Sequence, residues 1–487
     1  MNTHRSLAIL ALSACLAAMS SPLLRAEVHP VDHYRDLRYP PLQPVQLPSV
    51  QRAELPNGLV VFLAENRELP VIHVCVRIRV GSRWEPLEKA GLAEMVGGVM
   101  RTGGSASWSG DRLDKELDRL GAELQVDISA PEMGQADLVV AKEGIDDGLS
   151  ILSDLLRHPV FPEDRIEQAK TSKRGEILRR NEALAEVAWA EFERVIFGKD
   201  SPYAHQPELA TINSIRRDDL VGFHHEFFHP GNMILGVWGD FETEEMRTRI
   251  EKAFGIWPRC DRPRPQVPPV DSSAAERAGI YLIDNANAAE SLVFVGHLGG
   301  TLDDPDCPAL DVMNTILGEG RSGRLWTRVR NEGWSYRSYS VASNWYAGWD
   351  HPGIFIAYGE TKADNTLRLL RTIHQEVVRM TQEEVSEEEL TGARDGMQKR
   401  FPFEFDSTGK LIGRVMTYED CGYPRDHLQR YQEGIAKVTR ADVLRVAKHH
   451  LRPDRFVIVV LGNEKKFEQP LSTLGPVTQI DVTIPKP

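Results

Sequence analysis

The sequence predicts an α+β fold of two homologous halves, each a mainly antiparallel sheet backed by helices, joined by a proline-rich linker. Three observations predict it. The first is an internal duplication: residues 215–240 (IRRDDLVGFHHEFFHPGNMILGVWGD) and 438–463 (VTRADVLRVAKHHLRPDRFVIVVLGN) align at an offset of 223 without a gap. Arg217 meets Arg440, Asp219 meets Asp442, Pro230 meets Pro453 and Gly239 meets Gly462. Each copy reads as a helix, a proline stop and a β-branched strand ending at glycine. The second is a mixture of strand-period and helix-period segments without strict βαβ alternation, the pattern of an α+β chain. The third is Trp257 to Ala275, which holds Pro258, Pro263, Pro265, Pro268 and Pro269 and little apolar periodicity, a semi-extended linker.

In chain order, Leu59–Leu63 and Val71–Val80 read as strands. Ser109 suits the N-cap of a helix with Leu113, Leu117 and Leu120 on one face, stopped at Gly121. Leu124, Val126 and Ile128 alternate with polar residues, a half-exposed strand. A helix starts near Pro162, with Glu163 and Asp164 in its first turn. The second half repeats the scheme with strands at Ile280–Ile283 and Leu292–His297 and a helix near Ala309–Leu317. The expected organisation is a leader (1–26), an extended N-terminal segment (27–50), a first domain (51–256), the linker (257–275), a second domain (276–465) and a tail (466–487) that runs extended over the surface.

Of the 487 residues, 41% are hydrophobic and 26% charged, so the chain can bury the cores of two domains. Arg5, the apolar run Leu7–Met19 and Leu24-Arg25-Ala26 form an export signal, which predicts a periplasmic protein. Leu12-Ser13-Ala14-Cys15 also matches a lipoprotein cleavage box, leaving lipidation at Cys15 as a second reading. No later segment is apolar enough to cross a bilayer. Removing the leader takes away Arg5 and Arg25 and no acid, which leaves 56 basic against 71 acidic residues, a net charge of −15. That balance argues against nucleic acid or an anionic membrane as partner. Four cysteines remain, at 75, 260, 307 and 421, with no C-x-x-C pair; an exported protein can pair some of them, and the spacing leaves the pairing open. Cys75, in an apolar strand pattern, reads as a buried thiol.

Gly91 to Gly104, GLAEMVGGVMRTGG, resembles the segment of the insulinase/pitrilysin family of zinc peptidases that carries the inverted motif H-x-x-E-H. Leu55-Pro56-Asn57-Gly58, His158-Pro159-Val160-Phe161 and Phe228-His229-Pro230-Gly231-Asn232-Met233 match further landmarks, and the resemblance spans about residues 51 to 465. Where the family has two histidine ligands and a general-base glutamate, this chain has Glu94, Gly97 and Gly98. The family's third ligand, a later glutamate, falls on Glu176. A catalytic zinc needs three protein ligands and an open position. The glycines contribute no side chain and cost a helix about 1 kcal/mol each relative to alanine. The expectation is a vestigial zinc site and no metal or other cofactor in this chain.

The second half carries GEGRSGRLWTRVRNEGWSY from Gly318 to Tyr336, which resembles the family's glycine-rich turn, helix and following strand. The resemblance places the family's substrate- and oxyanion-binding pair on Arg330 and Tyr336, with one residue fewer than the usual pattern between Arg330 and Gly333. In two-chain bacterial relatives and in the mitochondrial processing peptidase, one chain brings zinc and its partner completes the chamber. The resemblance therefore implies a non-catalytic, substrate-binding subunit. Its partner would be a paralogous catalytic chain with an intact H-x-x-E-H and its own zinc. Arg330 and Tyr336 would act in trans on peptide substrates. Two alternatives stand beside this. One is a non-enzymatic scaffold or peptide-binding protein. The other is zincin chemistry at His225-Glu226-Phe227-Phe228-His229, a forward H-E-x-x-H. Pro230 stops that helix at once, and the second copy has Lys448, His449 and Arg452 instead, which favours a structural helix end.

Overall fold

The computed structural model describes residues 49–271, 277–332 and 341–486. The first half comprises β1 (Gln51–Glu54), β2 (Val60–Glu65), β3 (Val71–Ile78), α1 (Leu92–Gly103), α2 (Gly110–Leu120), β4 (Glu123–Asp127), β5 (Gly134–Ala141), α3 (Ile145–Arg157), α4 (Glu163–Arg179), α5 (Leu184–Phe197), α6 (Leu209–Ser214), α7 (Arg217–Phe227), β6 (Met233–Gly239) and α8 (Thr243–Phe254). The second comprises β7 (Gly279–Asp284), β8 (Glu290–Leu298), α9 (Cys307–Leu317), α10 (Arg324–Asn331), β9 (Val341–Tyr346), β10 (Ile354–Lys362), α11 (Thr366–Gln382), α12 (Glu387–Glu404), α13 (Thr408–Cys421), α14 (His427–Lys437), α15 (Arg440–His450), β11 (Val457–Gly462) and β12 (Val477–Gln479).

Each half holds one six-stranded sheet, in the orders β1-β2-β6-β3-β5-β4 and β12-β7-β11-β8-β10-β9. Reading inward from β2 and from β7, the two orders are the same, which is the duplication in three dimensions. The sheets are mainly antiparallel, with β2–β6 and β7–β11 as equivalent parallel pairs. The edges differ. The first sheet is closed by the N-terminal β1. The second is closed by β12, parallel to β7. Part of the tail thus joins a sheet instead of running over the surface, and Leu471 is buried.

The repeated residues have equivalent jobs. Asp219 and Asp442 accept the backbone N–H of Arg216 (2.7 Å) and Thr439 (3.0 Å), holding the first turns of α7 and α15. Arg217 donates to the carbonyls of Val160 and Phe161, and Arg440 to that of Val385, just before α4 and α12. A Cβ at Gly239, whose φ is +140°, would lie 2.1 Å from the Val71 carbonyl oxygen; at Gly462 it would lie 2.6 Å from Ser291 Oγ. The family landmarks are fasteners too. Buried Asn57 donates to the carbonyls of Phe254 and Trp257, and buried Asn232 to those of Phe227 and Arg79.

The halves exchange helices. The outer face of the second sheet is covered by α5 of the first half, with Ala188, Phe192, Ile196 and Phe197 packed on Ile283, Phe294, Ile356 and Val459. Reciprocally, α13 of the second half lays Ile412 and Met416 on Val60, Phe62, Cys75 and Ile234 of the first sheet. Arg79 pairs with Asp420 across this junction, and Arg77 donates to Thr417 Oγ1 at 2.7 Å. Burial of a phenylalanine such as Phe192 contributes about 1.5–3 kcal/mol, so each half supplies part of the other's core.

Most predicted elements form within a residue or two of expectation. Ser109 sits at the N-cap of α2, although its side chain makes no cap hydrogen bond; Gly121 ends the helix in the left-handed region at φ 58°. Residues 258–271 form no helix or strand, yet the segment is tied down: Gln266 and Pro268 carbonyls accept from Trp84 Nε1 and Tyr203 OH. Cys75 is a buried thiol, and all four cysteines among the described residues are free. No helix among those residues is long and apolar enough to cross a membrane. The leader, including Cys15, lies outside them.

Candidate functional site

The stretch Gly91–Gly104 forms α1 and its flanks, as the helical frame of the motif requires. Gly91 enters the helix at φ 98°. The carboxylate of buried Glu85 accepts from the N–H groups of Gly91 and Ala93, both at 2.8 Å, and from His205 Nε2 at 3.0 Å. This anion at a helix N-terminus satisfies otherwise orphaned donors. The two glycines differ sharply. A Cβ at Gly97 would lie 3.1 Å from Ile128 N and from the Val126 carbonyl oxygen, whereas one at Gly98 would meet nothing within 4 Å. Gly97 lets α1 press on the end of β4; Gly98 faces open space.

Glu94 on α1 and Glu176 on α4 both pair with one lysine, a residue the sequence reading missed. Lys173 Nζ lies 2.5 Å from Glu94 Oε2 and 3.0 Å from Glu176 Oε2. Burial works against the charge on Lys173, and the two carboxylates more than offset it, so the ammonium's pKa is raised. A single cation is thus shared by both acids. The available signal was the position of Lys173 one turn before Glu176 on α4, where i,i+3 residues meet.

The H-E-x-x-H segment is not assembled as a zincin site. The helix α7 ends at Phe227, and His229 lies beyond it in extended backbone at φ −149°. His225 Nδ1 lies 3.3 Å from Arg262 Nη2, and burial followed by Arg262 and Arg79 lowers the His229 pKa. The two imidazoles therefore do not share a helix face, and cations sit beside both.

In the second half the glycine-rich turn links α9 to α10. A Cβ at Gly323 would lie 2.8 Å from Gly318 Cα, and one at Gly318 would lie 2.6 Å from Ser343 N, so the turn is folded tightly onto β9. Arg324 forms a two-point ion pair with Glu389 (2.6 and 2.9 Å), and Arg328 pairs with Glu376 at 2.7 Å. Arg330, on the same helix, is exposed and stacks over Trp326 at 4.8 Å. Tyr336 lies outside the described residues.

One expectation is corrected. The chain was expected to hold no cofactor site, but Asp304, Asp306 and His450 each offer a ligand atom, all within 4.8 Å of one another. Asp304 and Asp306 lie just before α9, Asp306 at its N-cap, and His450 ends α15, so residues far apart in sequence form a cluster with no local motif. Two carboxylates and an imidazole suit a divalent ion such as zinc or manganese. Both Asp306 oxygens already accept from Arg445, at 2.8 and 3.0 Å, and Oδ2 lies 3.0 Å from His450 Nε2. Arg445, then burial opposing it, sets the Asp306 pKa below the usual carboxylate value. A bound cation would compete with Arg445 for this carboxylate.

Comparison with known proteins agrees with the fold. The family model "Insulinase (Peptidase family M16)" matches residues 60–194, and "Peptidase M16 inactive domain" matches residues 214–397. A Helicobacter pylori protein named non-peptidase homolog YmxG is 21% identical over 422 residues, which cover 86% of this chain and 94% of that protein. The alpha subunit of the Caenorhabditis elegans mitochondrial-processing peptidase is 23% identical, with 85% of each chain covered. A crystal structure of a peptidase M16 inactive domain from Pseudomonas fluorescens superposes with a TM-score of 0.75 at 21% identity, covering 87% of this chain and all of that one.

Proposed function

The chain belongs to the insulinase family of peptidases, family M16, and from that premise we propose that it is the substrate-binding subunit of a heterodimeric metallopeptidase. Its role is non-catalytic on its own. The partner is a paralogous chain with an intact H-x-x-E-H, and the pair hydrolyses peptides. The observation that carries the reading is Lys173 of α4 between Glu94 and Glu176, with Gly97 and Gly98 at the other motif positions on α1. The peptidase frame is kept while its two acids share a cation from within the chain. The exposed Arg330 of α10 then serves the partner's site with Tyr336, binding substrate backbone and stabilising the developing oxyanion. The export signal supports a periplasmic setting for both chains.

A second reading, a peptide-binding scaffold without proteolysis, is favoured by the name of the Helicobacter pylori relative. Reconstitution with the paralogue separates the two. The expected result is peptide hydrolysis by the pair only, with Arg330→Ala lowering kcat by about 100-fold while pairing and zinc content stay unchanged. Unchanged turnover in Arg330→Ala would remove the trans role and leave the scaffold. Peptide cleavage by this chain alone, lost on His225→Ala, would overturn both.

A further inference from the structure

A cavity of about 250 Å³ lies where the two halves meet, and none of its lining residues belongs to the Glu94–Lys173–Glu176 cluster or to the Asp304 cluster. Its walls come from α5 (Trp189, Glu193), the β4–β5 turn (Glu132), the loop after α5 (Tyr203) and the β9–β10 turn (Tyr346, Trp349). We propose that this cavity binds an organic monocation, an alkylammonium or guanidinium head held between its aromatic rings and its two carboxylates.

The chemistry of the walls selects the ligand. Aromatic faces are electron-rich and attract cations within about 6 Å. Trp189 meets Tyr346 edge to face, with centroids 6.5 Å apart at 84°, so the two rings present surfaces at right angles, as the sides of a cage do. Tyr203 stacks on His351 at 4.3 Å, which fixes a third ring. The lining residues include Glu132 and Glu193 and no lysine or arginine. The nearby guanidinium of Arg83 is committed elsewhere: it forms a two-point pair with Asp350 at 2.8 and 2.5 Å and stands 5.8 Å from the Tyr203 ring. His351 Nε2 reaches Glu132 only at 3.9 Å, while its Nδ1 lies 2.8 Å from Asp350.

The cavity is therefore built for positive charge and supplied with little of its own. Glu193 carries the consequence. Burial, then the charge of Glu132, push its pKa up to about 7, partly relieved by a hydrogen bond from Trp189. An anion would meet two acids here. An apolar ligand would bury Glu193 without a counter-charge. The volume is below that of drug-sized pockets, and fits a compact head group or one side chain. Tyr346, half exposed, stands at the mouth. This inference does not depend on the proposed partner or on Arg330.

Calorimetry on the mature chain tests it. The probes are n-butylammonium, tetramethylammonium and N-acetylarginine amide, with n-butanol as the neutral control. Binding of the cations but not of n-butanol is expected at about pH 8.5, weakening about tenfold or more near pH 5.5 as Glu193 takes its proton. Glu193→Gln should weaken binding at pH 8.5 by about tenfold or more and flatten the pH dependence. Glu132→Gln should weaken it less, and Trp189→Ala should abolish it. Should Trp189→Ala fail to fold, the two conservative glutamine variants decide. A short arginine peptide that binds more tightly than N-acetylarginine amide, with its citrulline counterpart silent, would assign the cation to a peptide side chain; equal affinities would assign it to a free small molecule. No binding of any cation at about 20 mM, or binding that Glu193→Gln leaves unchanged, would overturn the proposal.

Discussion

The Lys173 ammonium lies 2.5 Å from the Glu94 carboxylate, joining α4 to the helix that would carry the metal motif. Both partners are partly exposed, with 19% and 41% of their side-chain surface accessible, so the pair contributes at most about 1 kcal/mol. Its meaning is electrostatic. Lys173→Met should leave stability within about 1 kcal/mol by urea denaturation and leave Glu94 and Glu176 without their shared cation. A loss of several kcal/mol would show instead that the lysine is a structural keystone.

The glycines at the other motif positions should respond in opposite ways. Gly98→Ala enters open space and gains helix propensity, an expected stabilisation of about 1 kcal/mol. At Gly97 the same Cβ would press within 3.1 Å of Ile128 N and the Val126 carbonyl, so Gly97→Ala should gain nothing, and Gly97→Glu should cost about 1–3 kcal/mol. Urea midpoints of the three variants check the order. Equal stabilisation by both alanines would contradict the close approach of α1 to β4.

Reciprocal helix exchange predicts one cooperative unfolding unit. Phe192 is fully buried on α5 against the second sheet, and Phe192→Ala should cost about 3–5 kcal/mol. The loss should be sensed by probes in both halves in a single thermal transition. Two transitions, with only the first half shifted, would mean that the halves fold independently.

Acid stability has a definite sign. Burial lowers His224 and His297 to about 4 each, against carbonyl partners at Leu156 and Leu298. The unfolded chain takes up these protons near pH 6.5 and the folded one only near 4. Stability is therefore complete above about pH 6.5, falls between 6.5 and 4, and changes no further from these groups below that. Each histidine accounts for roughly 3 kcal/mol over that window. Chemical denaturation across pH should show a shallower slope in His224→Gln; an unchanged slope would put the acid sensitivity elsewhere.

The Asp304–Asp306–His450 cluster sets a competition between Arg445 and a divalent ion. Arg445→Ala should strengthen zinc or manganese binding measured by calorimetry, and Asp306→Ala should remove it. Weaker binding in Arg445→Ala would mean that the guanidinium supports the site and does not block it.

By itself the sequence determined the duplicated α+β architecture and the absence of any histidine from Gly91–Gly104, the stretch that resembles the family's motif segment. Those features are written in local periodicity, in an ungapped repeat and in residue identity at a motif. The tertiary structure alone decided that Lys173 stands between Glu94 and Glu176, that Gly97 is packed while Gly98 is open, that α5 and α13 change places, and that Asp304, Asp306 and His450 converge. Each depends on contacts between elements that are not neighbours along the chain. No periodicity records which distant surfaces meet, because that choice is made by the packing of whole sheets and helices.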